Sequence, residues 1–277
     1  MLTSTFIHIP GIGEAGERRL WRHGFLSWED IMIAETGEVP LPLYRLKEAL
    51  GDSERYLDAG DIGPFASALS SRLHWRFFPE FRHRAVYLDI ETTGLGEPGD
   101  HITTIALYDG GRIRFYIYGI NLDKFKHDIT DYDLLITYNG KSFDLPFIER
   151  TLGVSLQQAH IDLRYLLRCL GYKGGLKGCE RQMGIERGDL DGIDGYFAVL
   201  LWREYCCNHC PEALETLLAY NIEDVLNLEK LMVKAYNLSL RETPFAGVKD
   251  LPEVIEQVVS PFKPDMQLVR KIKEAFY

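Results

Sequence analysis

Two acidic side chains one residue apart form the first candidate for chemistry in this sequence. Asp89 and Glu91 belong to a strand-like run that begins at Ala85, and alternation along a strand places both carboxylates on one face. Like charges held side by side raise each other's proton affinity, so the pair favours a site for a divalent cation. By itself the pattern is weak, because a chain with 41 acidic residues in 277 contains about six such pairs by chance.

Two further elements carry acidic residues in settings that suit chemistry. The buried-strand run LLITYN ends at Asn139, and Asp144 follows near the start of a helix, where a helix N-cap is the structural interpretation. In the run AYNIEDV, Tyr220 and Asp224 are four residues apart and therefore share one face of a helix. That face also carries leucines, so Asp224 either borders the core or occupies the exposed edge of an amphipathic helix.

The runs around these residues predict a sheet covered by helices. Three strand-like runs follow one another from Ala85, and two more are expected near 134–139 and 160–164, with helical patterns between them. Helices over 195–205 and 211–236 complete the pattern. This β-β-β-α-β-α-β order predicts an α/β fold.

Taken in this order and at these separations, the three acidic elements resemble the motifs of the DEDD superfamily of 3′-to-5′ exonucleases, the proofreading-type branch of the RNase H-like fold. DIETTGL resembles the first motif; Asn139, Phe143 and Asp144 resemble the second; Tyr220 with Asp224 fits the tyrosine type of the third. The runs GGLKGCERQMGI, LDGIDGYFAVLLWREY and YNIEDVLNLEKL resemble the YprB-like subgroup of predicted exonucleases. The resemblance implies an RNase H-like mixed five-stranded sheet flanked by helices.

The resemblance also implies a catalytic set and its cofactors. Five residues would be catalytic: Asp89, Glu91, Asp144, Tyr220 and Asp224. The four carboxylates would hold two divalent cations, Mg²⁺ or Mn²⁺, which prefer hard oxygen ligands, for a two-metal-ion mechanism. Tyr220 would orient the attacking water or help to deprotonate it. Four residues would contact the substrate: Thr93, Leu95, Asn139 and Phe143.

These features predict a metal-dependent 3′-to-5′ exonuclease that acts on the end of single-stranded DNA or RNA. A catalytically silent nucleic-acid-binding or scaffold protein of the same fold is the alternative, and an endonuclease of that fold is a third. The net charge of −10 requires that nucleic acid be held by a local basic surface or by bound cations. Because no apolar run approaches the roughly 18 residues of a membrane span, and no secretory signal begins the chain, we expect a cytoplasmic protein with no membrane partner.

We expect three regions along the chain. A small, mainly helical N-terminal region covers 1–80, the exonuclease domain covers 85–236, and a C-terminal appendage covers 237–277. The connecting run RLHWRFFPEFRHR interleaves arginines with aromatic residues, as a stacking groove for single strands would. An amphipathic connection packed against the sheet is the more ordinary interpretation of that run.

The glycines near the N-terminus match two known turns incompletely. Gly11, Gly13 and Gly16 have the G-x-G-x-x-G spacing of a dinucleotide-binding turn, but Pro10 and the short helix that follows argue against one. The run IPGIGEAGERRLWRHGF resembles a helix-hairpin-helix, whose turn would direct backbone N–H groups at a phosphate. Because few residues precede Pro10, a structural turn between helices is the competing interpretation.

A cysteine cluster offers another possible metal site. Cys206, Cys207, His209 and Cys210 could offer three zinc ligands, but no second cluster completes a tetrahedral site unless Cys179 approaches. We therefore expect reduced thiols that bind no metal.

Two other groups of polar residues have simpler interpretations. Asp189, Asp191 and Asp194 lack the spacing of a calcium loop, so Asp194 is expected to cap a helix. His160 and Asp162 lie at a strand end beside the presumed cleft, where they could support the catalytic residues.

Overall fold

A mixed sheet forms the centre of the computed structural model, which describes residues 1–190, 193–255 and 258–276. Its strands are β1 (Ala85–Thr92), β2 (Ile102–Tyr108), β3 (Ile113–Ile117), β4 (Leu134–Thr137) and β5 (Ala159–Asp162). In the described residues the sheet has five strands in the order β3-β2-β1-β4-β5. β1 pairs antiparallel with β2 and parallel with β4, so it lies at the middle of the sheet.

Helices flank the sheet and form most of the N-terminal region. In the described residues they are α1 (Glu14–Arg22), α2 (Trp28–Ile33), α3 (Leu43–Asp58), α4 (Gly63–Ala68), α5 (Phe78–Phe81), α6 (Phe125–Asp128), α7 (Asp144–Leu152), α8 (Leu163–Cys169), α9 (Gly175–Gln182), α10 (Gly195–Asn208), α11 (Pro211–Leu240) and α12 (Met266–Phe276). Short 3-10 turns occupy Leu2–Ser4, Ser71–Phe77, Arg82–Arg84, Leu122–Lys124, Ile129–Asp131 and Gly188–Leu190. The expected mixed five-stranded sheet, flanked by helices and preceded by a helical region, is confirmed.

The two faces of the sheet pack against different helices. Val86, Leu88 and Ile90 of β1 pack with residues of α6 and α7, whereas Tyr87 packs with residues of α11. The side chains of β1 alternate between these faces because successive residues of a strand point in opposite directions. Asp89 and Glu91 follow Tyr87 by two and four residues, so their side chains lie on the same face of β1 as Tyr87. Both lie near Asp224 of α11.

The N-terminal region shares its hydrophobic core with the α11 face of the sheet. The aromatic rings of Trp75, Phe77, Phe78 and Phe81 are buried in that core, against residues of α11 that include Tyr236. These rings are therefore core residues, and the interpretation of 72–84 as a stacking groove is wrong. Burying rings of this size contributes about 1.5 to 3 kcal/mol each, which fixes the helical region onto the sheet.

The glycine-rich segment near the N-terminus forms a structural turn. Gly13 is the N-cap of α1, and before it lies only the three-residue 3-10 turn, without a strand, so a dinucleotide-binding turn is excluded. Glu17 is buried, accepts hydrogen bonds from Phe6 N and Ile7 N, and pairs with Arg76 at 2.8 Å. These bonds hold the segment against the core, while contact of the turn with a phosphate stays a prediction.

The last helices extend slightly beyond the sequence-based expectation. α11 begins with Pro211 in its first turn, as expected, and continues to Leu240. α12 packs its apolar face against α10 and the first part of α11. No helix in the described part of the chain combines the length and the apolar character that a bilayer crossing requires.

Candidate active site

Three carboxylates meet where α11 crosses the middle strand of the sheet. Each of Asp89, Glu91 and Asp224 offers an oxygen atom, and these atoms lie within 4.8 Å of one another. Glu91 and Asp224 are 8% and 4% exposed, so the exposed-edge interpretation of Asp224 is wrong. Period-two alternation in β1 directs two of these side chains toward the helix, and helical periodicity in α11 directs the third toward the strand.

Asp144 of α7 lies beside this group and also lines the cavity above β1. It is the first residue of α7 rather than its N-cap, a position that Phe143 occupies. Its side chain is buried, and its Oδ1 accepts a hydrogen bond from Ile90 N at 3.3 Å, between Asp89 and Glu91 along β1. The structure therefore brings all four predicted acids to one strand, although the group whose oxygens lie within 4.8 Å contains only three.

A cavity of about 1190 Å³ opens over these carboxylates. All nine residues predicted from the sequence to be catalytic or to contact the substrate line this cavity: Asp89, Glu91, Thr93, Leu95, Asn139, Phe143, Asp144, Tyr220 and Asp224. Leu95 is 90% exposed, which is unusual for a large apolar side chain and leaves it free to contact a ligand.

The carboxylates repel one another in the absence of a cation. Burial, followed by the charges of the neighbouring acids, raises the pKa values of Asp89 and Glu91 well above their usual range. Burial also raises the pKa of Asp144 to about 7. A donor set of clustered, buried, hard oxygens suits a divalent cation, whose charge would offset this repulsion. The carboxylates of Asp89, Glu91 and Asp224 can therefore bind a metal ion.

Tyr220 lies one helical turn before Asp224 and is 3% exposed. Burial and the nearby carboxylates raise the pKa of its hydroxyl, so that it stays protonated at neutral pH and can donate a hydrogen bond. The Lys177 ammonium lies 4.8 Å from the centroid of its ring, and the Arg187 guanidinium lies 5.4 Å from the same centroid. These cations fix the ring at the edge of the carboxylate group.

A buried ionic network supports Asp224, and sequence reasoning missed it. Arg187 donates to Asp224 Oδ1 and, through Nη1, to both carboxylate oxygens of Glu180 at 2.8 Å. Asn227 donates to Glu180 Oε1 at 3.0 Å. In sequence, Glu180 and Arg187 look like ordinary surface charges, so no local signal distinguishes them.

A second supporting residue holds Asp89. Asn221, which is fully buried on α11, donates from Nδ2 to Asp89 Oδ2 at 2.7 Å. Its Oδ1 accepts a hydrogen bond from the Thr104 hydroxyl of β2 at 3.0 Å. Asn221 thereby fixes one oxygen of Asp89, and only its position one turn before Asp224 could have indicated this role.

Asp162 holds the loop that carries Asn139 and Phe143. Its carboxylate accepts hydrogen bonds from Asn139 N at 2.8 Å and from Lys141 N and Arg164 N at 3.0 Å. Asn139 has a left-handed backbone with φ of 69°, a conformation that asparagine tolerates better than most residues. The supporting position expected of Asp162 at the strand end is thus observed.

His160 has a partner on the neighbouring strand instead of in the carboxylate group. Its Nε2 lies 2.9 Å from the Thr137 hydroxyl, and burial lowers its pKa to about 4. Neutral His160 therefore links β5 to the end of β4.

The other candidate metal positions give no comparable group. Cys206 and Cys207 are exposed, and Cys179 is buried on α9 with its Sγ 3.7 Å from the Tyr138 hydroxyl. Within residues 1–190, 193–255 and 258–276, the cysteine cluster offers no set of three ligands within reach of one ion. Asp194 caps α10 by accepting a hydrogen bond from Phe197 N at 2.9 Å, as expected, whereas Asp191 and the side chain of Asp189 lie outside the described residues.

A family model described as the RNase_H superfamily matches residues 86–236, just over half of the 277 residues. The chain belongs to the RNase H superfamily. The matched residues of this RNase H superfamily member include the whole sheet apart from Ala85, and all nine residues that the sequence proposed for the site. The RNase H-like fold that the motifs implied is thereby confirmed.

Several solved structures are similar to this RNase H superfamily member. The family B DNA polymerase of the archaeon Pyrobaculum calidifontis is 18% identical over 65% of this chain, with a TM-score of 0.43, and the chain spans only 31% of that polymerase. NrnC of Brucella melitensis with bound Mg²⁺ is 20% identical, with 60% of this chain and 78% of NrnC covered and a TM-score of 0.42. No curated protein matches the sequence.

Proposed function

We propose that this protein is a metal-dependent 3′-to-5′ exonuclease of the DEDD type, with a tyrosine in its third motif and of the YprB-like subgroup. It would hydrolyse the terminal phosphodiester bond of single-stranded DNA or RNA through its domain at 85–236. One observation carries the proposal: four acids and a tyrosine from three distant segments line one cavity of an RNase H-like fold.

Each acidic residue has a distinct position in the proposed reaction. Asp89, Glu91 and Asp224 would hold one Mg²⁺ or Mn²⁺, and Asp144 with Asp89 would hold a second. When bound, the two cations supply charge stabilisation at the phosphate and activation of water. Asn221 and Arg187 each hydrogen-bond one oxygen, of Asp89 and Asp224 respectively, so the other oxygen of each carboxylate would be left to hold an ion.

The protonated hydroxyl of Tyr220 would donate a hydrogen bond that orients the attacking water, rather than remove a proton from it. Leu95 and Phe143 would contact the terminal base through apolar surface. The Thr93 hydroxyl accepts a hydrogen bond from His101 N at 3.0 Å, so Thr93 would contact the substrate while shaping its own loop. The side chain of Asn139 accepts hydrogen bonds from Ser142 and Arg164, so Asn139 would likewise contact the substrate while shaping its own loop.

A labelled single strand tests the proposal. With a 5′-labelled oligonucleotide and Mn²⁺, we expect products that shorten by one nucleotide at a time, and Asp89→Asn and Asp224→Asn should each lower the rate about 100-fold or more. Asp123→Asn is the matched control, because this carboxylate is 94% exposed outside the cavity. Undiminished cleavage by both site variants would refute the assignment, and cleavage of a circular strand would indicate an endonuclease.

One observation favours the silent nucleic-acid-binding alternative. Arg187 already donates to Asp224, so one acid has a cationic partner without any metal ion. A silent protein would bind single strands equally well in EDTA and in Mn²⁺ and would release no nucleotide. Titration calorimetry with Mn²⁺ separates the two functions, because only the exonuclease requires the ions to bind the carboxylates.

A further inference from the structure

Four exposed basic residues line the same cavity from elements that carry none of the proposed metal ligands. They are Arg164 and Arg168 of α8, Lys173 of the turn after it, and Arg203 of α10, and we call them the basic rim. The proposed ligands lie instead on β1, α7 and α11. The cavity therefore has a carboxylate floor and a separate cationic border.

The basic rim keeps its positive charge available. Within the described residues, Arg168, Lys173 and Arg203 form no ion pair, and Arg164 donates a hydrogen bond to the neutral side chain of Asn139. The whole chain carries a net charge of −10 and the floor of the cavity is acidic, so the unpaired cations make the rim locally basic. Such a surface attracts polyanions and is screened by salt.

Two tyrosines line the cavity beside the rim. Arg164 and Arg168 are one turn apart on α8, and Tyr196 and Arg203 are seven residues apart on α10, so each pair shares a helix face. Tyr172 lines the cavity in the turn between Arg168 and Lys173, where it is half-buried, and Tyr196 is 56% exposed. Alternating cations and accessible rings suit phosphates and unstacked bases, respectively.

The cavity has room for a ligand larger than most small molecules. Pockets for small ligands enclose roughly 300 to 1,000 Å³, and this cavity encloses about 1190 Å³. The bases of a duplex are stacked on one another and cannot reach the rings of Tyr172 and Tyr196. A single strand presents its phosphates and its bases at the same time.

We propose that the basic rim, together with Tyr172 and Tyr196, binds the backbone and bases of single-stranded nucleic acid next to the nucleotide held over the carboxylates. This inference rests on the proposed function and names the residues that select its substrate class. The phosphates would contact Arg168, Lys173 and Arg203, and the bases would stack on the two tyrosine rings.

The salt dependence of binding tests the phosphate contacts. Fluorescence anisotropy with a 5′-labelled oligothymidylate of about eight nucleotides, in Ca²⁺ or EDTA, reports binding in the absence of turnover. The triple variant Arg168→Gln, Lys173→Gln, Arg203→Gln should lower the slope of log affinity against log salt by about 2, since each phosphate contact contributes about 0.7 for single strands. The double variant Arg45→Gln, Arg270→Gln removes exposed cations outside the cavity and should leave the slope unchanged.

Substitution of the aromatic rings should give a different signature. Tyr172→Ala and Tyr196→Ala should each weaken binding about 5- to 150-fold at fixed salt, because stacking is lost, and should leave the salt slope unchanged. Tyr44→Ala is the matched control for Tyr196→Ala, since Tyr44 is 68% exposed on α3 and outside the cavity.

Three results would overturn the inference. They are an unchanged slope in the triple variant, binding of a blunt duplex as tight as that of the single strand, and displacement of the oligonucleotide by an equal charge of polyglutamate. Nucleotide release by the wild type, measured separately, distinguishes this inference from the proposed function. Release with an unchanged slope refutes only the rim, whereas rim-dependent binding without release refutes only the exonuclease.

Discussion

Replacing Asp144 with asparagine tests whether the buried carboxylates destabilise the metal-free protein. The Asp144 side chain is buried, and burial raises its pKa from 3.8 to about 7. Asparagine keeps the shape of the side chain and the oxygen that accepts from Ile90 N, but it cannot ionise. Asp144→Asn therefore removes the charge and leaves the described hydrogen bond in place.

The sign of the pH effect follows from the direction of the pKa shift. A carboxyl whose pKa is higher in the folded state contributes its full stability below about pH 3.8 and loses that stability as the pH rises through about 7. For this shift, linkage gives a loss of about 2 kcal/mol at pH 5 and about 4 kcal/mol at pH 8. In EDTA, the free energy of unfolding of Asp144→Asn should therefore exceed that of the wild type, and the difference should grow as the pH rises from 5 to 8.

Urea unfolding between pH 5 and pH 8 measures this difference. Asp123→Asn serves as the control, because it makes the same substitution at a carboxylate that is 94% exposed. In saturating Mn²⁺ the advantage of Asp144→Asn should shrink or reverse, since ligand binding stabilises the folded wild type. A difference between Asp144→Asn and the wild type that stays flat from pH 5 to pH 8 in EDTA would refute the reasoning.

Two other variants test the supporting residues. Arg187→Gln should weaken Mn²⁺ binding about 10- to 100-fold in calorimetry, because Asp224 loses its orienting partner. Tighter binding would show instead that repulsion between the Arg187 guanidinium and the metal ion dominates. Arg76→Gln is the control, because it breaks an equally buried ion pair away from the carboxylates and should not change the affinity for Mn²⁺. Asp162→Ala should lower the free energy of unfolding by about 2 to 4 kcal/mol in urea, because three backbone N–H groups lose their acceptor; an unchanged midpoint would contradict the role given to this carboxylate.

Local periodicity in the sequence predicts much of this protein. The alternation in β1 places Asp89 and Glu91 on one face, and the four-residue spacing in α11 places Tyr220 and Asp224 on one face. The succession of strands and helices along the chain and the helix cap at Asp194 also follow from signals within a few residues of each position. Such features are local, because they depend on backbone geometry and on neighbouring side chains.

Only the tertiary structure decides which of these side chains meet. The hydrogen bond from Asn221 to Asp89 joins residues 132 apart, and Arg187 reaches Asp224 across 37 residues. Neither partner stands out in the sequence, and amphipathicity alone could not determine whether Asp224 was exposed or buried. The distance between carboxylate oxygens depends on how α11 packs across β1, and that packing is set by the whole core rather than by any segment of the chain.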